Sequence, residues 1–390
     1  MRILIIHNYY QQFGGTCAFV NQEKELLENN GHDVRMFTRH SNEIKSFGLA
    51  EKVAFIPNTI YSSSSATQLN DVIDDFEPEV AYVHAVQPLI SYACYDVLHK
   101  RGIPCVQMLH DYRFLCPDAF SFRNAQICEK CMHGNFLNAV TYKCYKNSHI
   151  FSAIYAAAIS NARRKLKVFD TITRFICTSE FCKAKFIEAG ISASKISVRP
   201  HYIEGNNASP SYAPGEYGLF IGRLSPEKGL FTLLEAMKHA PEIDLKVMGT
   251  GPLEDEMKSY IKHHAINNVE MLGFKTGQEK YDIIRDSAFT IIPSIWNEVF
   301  GLIALESFSC GKPVIASDIG SLPYVVQDNK TGILVEPGNA ASLTKAIVSL
   351  YEDKSRIEEM GHNAYNAFKN EFSPENSYRI LMEVFKEVTA

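Results

Sequence analysis

The 390-residue sequence has no apolar run long enough to cross a membrane. Its longest candidate, Ile150 to Ser160, is 11 residues and then runs into charge, whereas a spanning helix needs about 20. Met1-Arg2 is followed by only Ile3-Leu4-Ile5-Ile6 before His7 and Asn8. That is the length of a buried strand and too short for a secretory leader. The chain is therefore expected in the cytoplasm, with its 10 cysteines as reduced thiols or metal ligands rather than disulfides. A basic excess is lacking as well. Lys and Arg number 39 against 44 Asp and Glu, a net charge of −5, which argues against a nucleic-acid partner. No sequence repeat occurs, and no low-complexity segment beyond Ser62 to Ser65. At 46% hydrophobic and 21% charged, the composition excludes wholesale disorder.

What is present reads as two α/β halves. Residues 1–205 carry 22 Lys/Arg against 19 Asp/Glu (+3), and residues 206–390 carry 17 against 25 (−8). Such an imbalance suits two domains with different partners. Short apolar runs alternate with helix-period segments, which predicts βαβ units and parallel sheets. Expected strands are 2–7, 33–37, 80–84, 104–109 and 174–178, with a helix over Val20 to Asn30. Tyr202 to Tyr217 holds two glycines, two asparagines and two prolines and reads as a linker. The pattern then restarts with strands at 218–221, 244–248, 268–272, 289–293 and 313–317, and Pro374 to Val388 reads as a capped helix. Two doubly wound sheets joined this way put a cleft between their carboxyl ends, where such folds bind ligands.

The most informative stretch is Pro293 to Ser317, PSIWNEVFGLIALESFSCGKPVIAS. Glu298 and Glu306 stand eight apart, the first in a loop after a strand, the second inside a helix that Gly301 can open. The amides of Phe300, Gly301 and Leu302 then fall at a helix N-terminus, ready for an anion. A solvated pair of glutamates is the bland alternative, and the apolar flanks speak against it. This stretch resembles the Glu-x7-Glu signature of retaining glycosyltransferases of family 4, which have the GT-B fold: two Rossmann-like doubly wound domains facing across a cleft. The resemblance implies that Glu298 binds hydroxyls of the donor sugar and that the amides of Phe300 to Leu302 hold sugar and phosphate. It implies that Glu306 takes the ribose hydroxyls of the nucleotide. The following Gly-Lys-Pro-Val-Ile-Ala-Ser, Gly320 and Glu336-Pro337-Gly338 match the family too.

A second element, Gly222-Arg223-Leu224-Ser225-Pro226-Glu227-Lys228-Gly229, sets two cations five residues apart at a strand end. Arg binds phosphate in bidentate fashion and Lys supplies a point charge. Cations at a departing diphosphate stabilise the transition state more than the ground state. The element resembles the family's phosphate clamp, which implicates Arg223 and Lys228; an ordinary surface turn is the alternative. Gly249-Thr250-Gly251 resembles the family's turn beside the nucleotide, and Gly273-Phe274-Lys275 the segment whose backbone meets the base. Gly14-Gly15, with Thr16, resembles a glycine loop that approaches the donor. His110, at the end of the 104–109 strand, matches the family's histidine at the donor sugar, and His84, also at a strand end, is a lesser candidate. A capping or core role is the alternative for each histidine.

Two further features lie outside those motifs. Cys116, Cys128, Cys131 and Cys144, spaced C-x11-C-x2-C-x12-C within an insertion at about 116–144, fit a structural zinc site, with His133 as a spare ligand. Four unrelated thiols, or a redox pair, are the alternatives. Asn161 to Lys167 (NARRKLK) follows an Ala-rich segment in which Phe151, Ile154 and Tyr155 could share one face. That reads either as a membrane-surface helix or as a solvated one.

The resemblance implies transfer of a sugar from a nucleotide-diphosphate donor (UDP- or GDP-sugar) to a glycan or lipid-linked acceptor. Retention of configuration and no catalytic metal are part of that implication, as are a role in cell-surface polysaccharide synthesis and peripheral contact with the inner membrane. The implied organisation is an acceptor-side domain at 1–205, a nucleotide-sugar domain at 206–372 and a C-terminal helix at 373–390 that crosses back. A GT-B phosphorylase or nucleotide-sugar epimerase, and a non-catalytic partner protein, are the competing readings.

Overall fold

The computed structural model describes residues 1–11, 14–204 and 209–390. Gly205 and the two asparagines of the expected linker lie outside the described residues, as does the expected boundary at 205/206. The chain forms two compact units. The first comprises Met1–Arg123, Cys128–Arg199 and Ser377–Ala390, the second Asn124–Ile127 and Pro200–Asn376.

The first unit is built on strands β1 (Arg2–Tyr9), β2 (Asp33–His40), β3 (Val80–Val83) and β4 (Cys105–Met108). The two-residue β5 (Phe122–Arg123) follows, then β7 (Arg174–Cys177) and β8 (Ile196–Val198), while the two-residue β6 (Gln126–Ile127) belongs to the second unit. The six long-range strands pair in the order β2-β1-β3-β4-β7-β8, all parallel. Helices cover both faces, so the central strands read as unbroken apolar runs: Ile3 to Ile6 and Val80 to Val83 are fully buried. Where the chain reverses direction of winding, between β1 and β3, the sheet leaves a switch point at its carboxyl edge.

The helix expected from Val20 begins earlier, at Gly15, and runs to Asn29. Gly14 is the extended N-cap residue and its carbonyl accepts from the Ala18 amide at 3.1 Å. The glycine loop read from the sequence is thus the first turn of a helix. The unit is closed by a buried ion pair. Both Arg199 and Glu23 are fully buried; the guanidinium donates to the two Glu23 oxygens at 2.5 and 2.7 Å and to the Tyr82 hydroxyl at 3.0 Å. Its Nε donates to the Ser377 carbonyl at 2.9 Å. That last bond ties in the C-terminal helix, Pro374–Thr389, whose Phe385 packs edge-on against Tyr82.

The second unit holds strands β9 (Tyr217–Ile221), β10 (Asp244–Met248), β11 (Val269–Gly273), β12 (Phe289–Ile292), β13 (Val314–Ser317) and β14 (Gly332–Val335). They pair in parallel as β11-β10-β9-β12-β13-β14. Counted within the unit this is 3-2-1-4-5-6, the dinucleotide-fold order, with its switch point between β9 and β12. Phe220, Leu245, Val247, Phe289 and Ile315 fill the core against Leu233, Leu234 and Ile347 of the covering helices. Four strands are absent from the sequence reading: the two-residue β5 and β6, and β8 and β14, the outer strands of their sheets, which are short and only partly buried.

Candidate functional site

The second unit's two motifs emerge side by side at its switch point. β9 ends at Ile221 and hands over to Gly222-Arg223. The chain then makes a short turn, Pro226–Lys228, before a helix from Leu230. Its neighbour β12 ends at Ile292 and hands over to the loop that carries Glu298. The loops are stitched together: the Ile295 amide donates to the Glu227 carbonyl at 2.9 Å. Lys228 Nζ lies 2.6 Å from Glu298 Oε1, and the same oxygen accepts from the Ser294 hydroxyl at 2.7 Å. The Glu298 side chain is 8% exposed and that of Lys228 24%. Burial alone would raise the Glu298 carboxyl. The Lys228 charge outweighs it, with hydrogen bonds from Lys228, Ser294 and Trp296, and holds the group below the ordinary carboxylate value. The Lys228 ammonium also lies 5.5 Å over the ring of Trp296, the only tryptophan of the chain.

Gly320 is what lets this loop sit where it does. It has φ +61°, and a Cβ there would lie 2.5 Å from the Glu298 nitrogen and 2.7 Å from its carbonyl oxygen. The Ser321 amide donates to that carbonyl at 2.9 Å. The loop ends at Gly301, φ +106°, and the helix Leu302–Ser309 begins. Phe300 is buried with its ring against His201 and Phe372. The amides from Gly301 onward are first-turn donors with no acceptor within the helix. Glu306 sits on that helix with Lys280 Nζ at 2.7 Å from Oε1, while its buried Oε2 has no hydrogen-bond partner among the described residues.

Arg223 is exposed and pairs with no carboxylate among the described residues. Gly249 and Gly251 have a packing reason for their identity: a Cβ on them would lie 1.9 Å from the Gly222 carbonyl and 2.4 Å from that of Leu224. The Gly249–Gly251 turn thus lies directly on the loop that carries Arg223, with the Leu224 amide bound to Thr250 O at 3.0 Å. Phe274 follows β11 with its ring exposed.

In the first unit, His84 and His110 follow the ends of β3 and β4, and they meet. His84 Nδ1 and His110 Nε2 are 2.8 Å apart, with the rings stacked at 5.1 Å. One proton lies between these two nitrogens, so one histidine donates and the other accepts. Both border a cavity of about 30 Å³, shared with Tyr10 and Arg113. Gln107 Nε2 donates to the His84 carbonyl at 3.0 Å and fixes the backbone there. His7, near the carboxyl end of β1, lies beside them with its ring 6.2 Å from that of His84. It is fully buried, neither ring nitrogen has a hydrogen-bond partner among the described residues, and burial brings its pKa down to about 4.

Two expectations fare differently. The thiols of Cys116, Cys128, Cys131 and Cys144 are close enough that Cys131 feels the other three. Yet among the described residues no group of three or more His, Cys, Asp or Glu side chains is placed to hold a metal ion, and all four thiols are free. Burial pushes Cys131 up to about 12 and Cys144 up to about 11, with the neighbouring thiols adding to the rise. The segment is ordered by other means: Arg123 lies over the Tyr142 ring at 4.0 Å, Lys130 Nζ meets its hydroxyl at 3.1 Å, and the Cys144 amide binds Ala139 O. In the stretch Asn161 to Lys167, Arg163 is engaged by the fold, donating to the carbonyls of Met132 and Ala189 at 2.8 and 2.9 Å and lying over Phe169, while Arg164, Lys165 and Lys167 are exposed; Ile154 and Tyr155 are core residues.

Sequence reasoning missed Lys280, Ser294 and His7. Lys280 lies 26 residues before Glu306 on a different helix, and no local spacing announces such a partner. Ser294 and His7 stand just past or at the end of a strand next to the switch point, a position that could have marked them.

Comparison with known proteins agrees with this geometry. The family described as "Glycosyltransferase Family 4" matches residues 13–204, and the one described as "Glycosyl transferases group 1" matches residues 206–367. An uncharacterized glycosyltransferase of Methanocaldococcus jannaschii is 29% identical over 218 residues, 55% of this chain and 60% of that protein. The D-rhamnosyltransferase WbpZ of Pseudomonas aeruginosa is 32% identical over 157 residues, 40% of this chain and 41% of its own length. The matched part thus covers less than two thirds of either relative. Among solved structures, Anabaena HepE in complex with UDP superposes with a TM-score of 0.69 at 20% identity, over 99% of this chain and 100% of that one.

Proposed function

The chain belongs to the GT4-type glycosyltransferases of GT-B fold, and on that premise we propose that it moves a sugar from a nucleotide diphosphate to a glycan or lipid-linked acceptor with retention at the anomeric carbon. The observation that carries this reading is the Lys228–Glu298 pair at 2.6 Å, held where β9 and β12 diverge. It sets one cation and one acceptor-only carboxylate at the place where a doubly wound sheet takes its ligand.

In this reading Glu298 accepts hydrogen bonds from hydroxyls of the donor sugar, and Lys228, with two further N–H donors to offer, reaches the diphosphate. Arg223 adds a bidentate phosphate contact, and the amides of Phe300, Gly301 and Leu302 add first-turn donors. Glu306 takes the ribose hydroxyls through its unpartnered Oε2, and the backbone around Gly249, Gly251 and Phe274 flanks nucleoside and base. In the first unit, His110 acts at the transferred sugar, with Gly14 and Gly15 giving close backbone approach. The residues 206–372 are then the donor half and 1–205 the acceptor half.

As the sugar–phosphate bond breaks, negative charge builds on the leaving diphosphate. Arg223 and Lys228 are pre-placed for that charge, which stabilises the transition state over the ground state. The same two cations make a divalent ion unnecessary for neutralisation. The departing diphosphate can accept the acceptor's proton on the face it leaves, which gives retention. HepE binds UDP and UDP-glucose, and relatives act as rhamnosyl- and O-antigen mannosyltransferases. These support a UDP- or GDP-sugar donor and cell-surface polysaccharide as the product class.

The test is slow donor hydrolysis in EDTA, followed by proton NMR across a panel of UDP- and GDP-sugars. Retention requires the released sugar to appear first in the donor's anomeric configuration. Inverted product, or turnover only with added Mg²⁺, would overturn the corresponding part of the reading.

A further inference from the structure

We propose that Lys280 is a positioning residue of the nucleotide site: it holds one oxygen of Glu306 so that the other is fixed for a ribose hydroxyl, and the site thereby selects ribonucleotides over their deoxy analogues. The inference rests on the ribose role given to Glu306 above and adds to it a residue and a selectivity.

Lys280 lies on the helix Gly277–Asp286. Its charged neighbours pair locally at the surface. Lys275, just before that helix, meets Glu279 at 2.6 Å, and Arg285 meets Asp282 one turn back. Exposed pairs of that kind contribute little. Lys280 instead leaves its own helix and reaches Leu302–Ser309, where its Nζ lies 2.7 Å from Glu306 Oε1. Both side chains are mostly covered, 20% and 15% exposed. The ammonium also lies 4.9 Å from the centre of the Tyr281 ring, a cation–π contact that further limits where it can go. Tyr281 and Ile283 pack with Cys310, just past the end of the second helix, so the gap that Lys280 bridges is set by the packing of the two helices.

A glutamate side chain is flexible, and a free one would lose that freedom on binding its ligand. Here the loss is taken before the ligand arrives, which is preorganisation. A carboxylate offers about four lone-pair sites. The Lys280 ammonium takes one of them on Oε1, and the buried Oε2 has no hydrogen-bond partner among the described residues. A ribose hydroxyl can donate to that oxygen. A deoxy sugar would leave it buried without a donor, and an unmet polar group of this kind is the source of strong discrimination between ligands. Lys280 has a second effect. Two uncompensated carboxylates would repel a diphosphate. Glu298 is paired with Lys228 at 2.6 Å, and Lys280 does the same for Glu306, so neither acid opposes an anionic ligand. The competing account is an ion pair that only ties two helices together, which would leave selectivity unmoved.

The test is calorimetry in EDTA with UDP and GDP, each beside its 2′-deoxy and 3′-deoxy analogues. It compares wild type, K280M, K280A, E306Q and K280M/E306Q. The ratio of ribo to deoxy affinity is taken on one variant at a time, so partial unfolding lowers both affinities alike and cancels. In the wild type the nucleotide that binds should lose roughly tenfold or more in at least one deoxy analogue, the scale of a hydrogen bond to a charged group. K280M and K280A should cut that ratio to about threefold or less, as E306Q does, and the double variant should show no further fall. Lysine variants that bind more weakly but keep the wild-type ratio, while E306Q loses it, would overturn the inference and leave the reading of Glu306 standing. A wild type that binds neither nucleotide or does not discriminate, or an E306Q with the wild-type ratio, would overturn both.

Discussion

Replacing Glu298 by Gln should weaken the second unit by about 2 kcal/mol and remove part of its acid sensitivity. At the observed 2.6 Å, unit charges attract by roughly 6 kcal/mol at an effective dielectric of 20. Desolvation of a carboxylate this buried offsets much of that, and Lys228, 24% exposed, can turn to water when its partner is lost. The net loss therefore falls below the ~3–5 kcal/mol of a fully buried broken pair. The Ser294 bond survives in the amide. The pH arm follows from the sign. A carboxyl held below its unfolded value, about 4.3, stabilises above that value. The contribution is lost as pH falls through the lower folded value. Trp296 gives a local readout, because it is the only tryptophan and belongs to the same unit and loop as Glu298. Urea unfolding followed by its fluorescence at pH 7 and then stepwise below pH 4 should show the gap between wild type and E298Q closing as the folded carboxyl protonates. A variant within about 0.5 kcal/mol of wild type at pH 7, or a gap that stays constant from pH 7 down to the acid limit of the folded state, would refute the reasoning.

Three other outcomes are expected. Glu23→Ala should cost the first unit about 3–5 kcal/mol in denaturant unfolding, since Arg199 is left buried and uncompensated; a loss under ~1 kcal/mol would contradict a tight latch. Gly320→Ala should destabilise the second unit by at least about 2 kcal/mol and shift Trp296 emission, because the new Cβ meets the Glu298 backbone at 2.5 Å; unchanged emission would show that the loop yields. His7→Phe should flatten the fall in first-unit stability, followed by circular dichroism, between about pH 6.5 and 4. There the unfolded imidazole takes up a proton that the folded one, at about 4, does not, worth roughly 3 kcal/mol. An unaltered slope would remove His7 from the account.

How much was legible beforehand varies by kind of interaction. Runs such as Ile3 to Ile6 and Val80 to Val83 announce themselves because both their faces are buried. β8 and β14 do not, because an outer strand is half covered and its sequence mixes Ser or Gly with apolar residues. Glu298 and Lys228 could each be singled out from the segment around them, but their 2.6 Å contact spans 70 residues and needs the strand order β9-β12 to be known. The His84–His110 contact needs β3 and β4 adjacent in the same way. The glycines at 249 and 251 look like ligand loops in sequence, and the structure adds a second reason for their identity, a close backbone neighbour. The cysteine spacing suggested a metal, and the four thiols come near one another without forming a metal-holding group among the described residues.

The most direct test of the central claim, that the β9–β12 switch point holds a nucleotide diphosphate, is titration of Trp296 fluorescence with UDP, GDP and ADP in EDTA. The expected result is a saturable change with one of these nucleotides in the wild type, with affinity reduced roughly tenfold or more in Arg223→Ala through loss of a charge-assisted phosphate contact. A wild type that answers none of them, in fluorescence and in calorimetry alike, would contradict the claim.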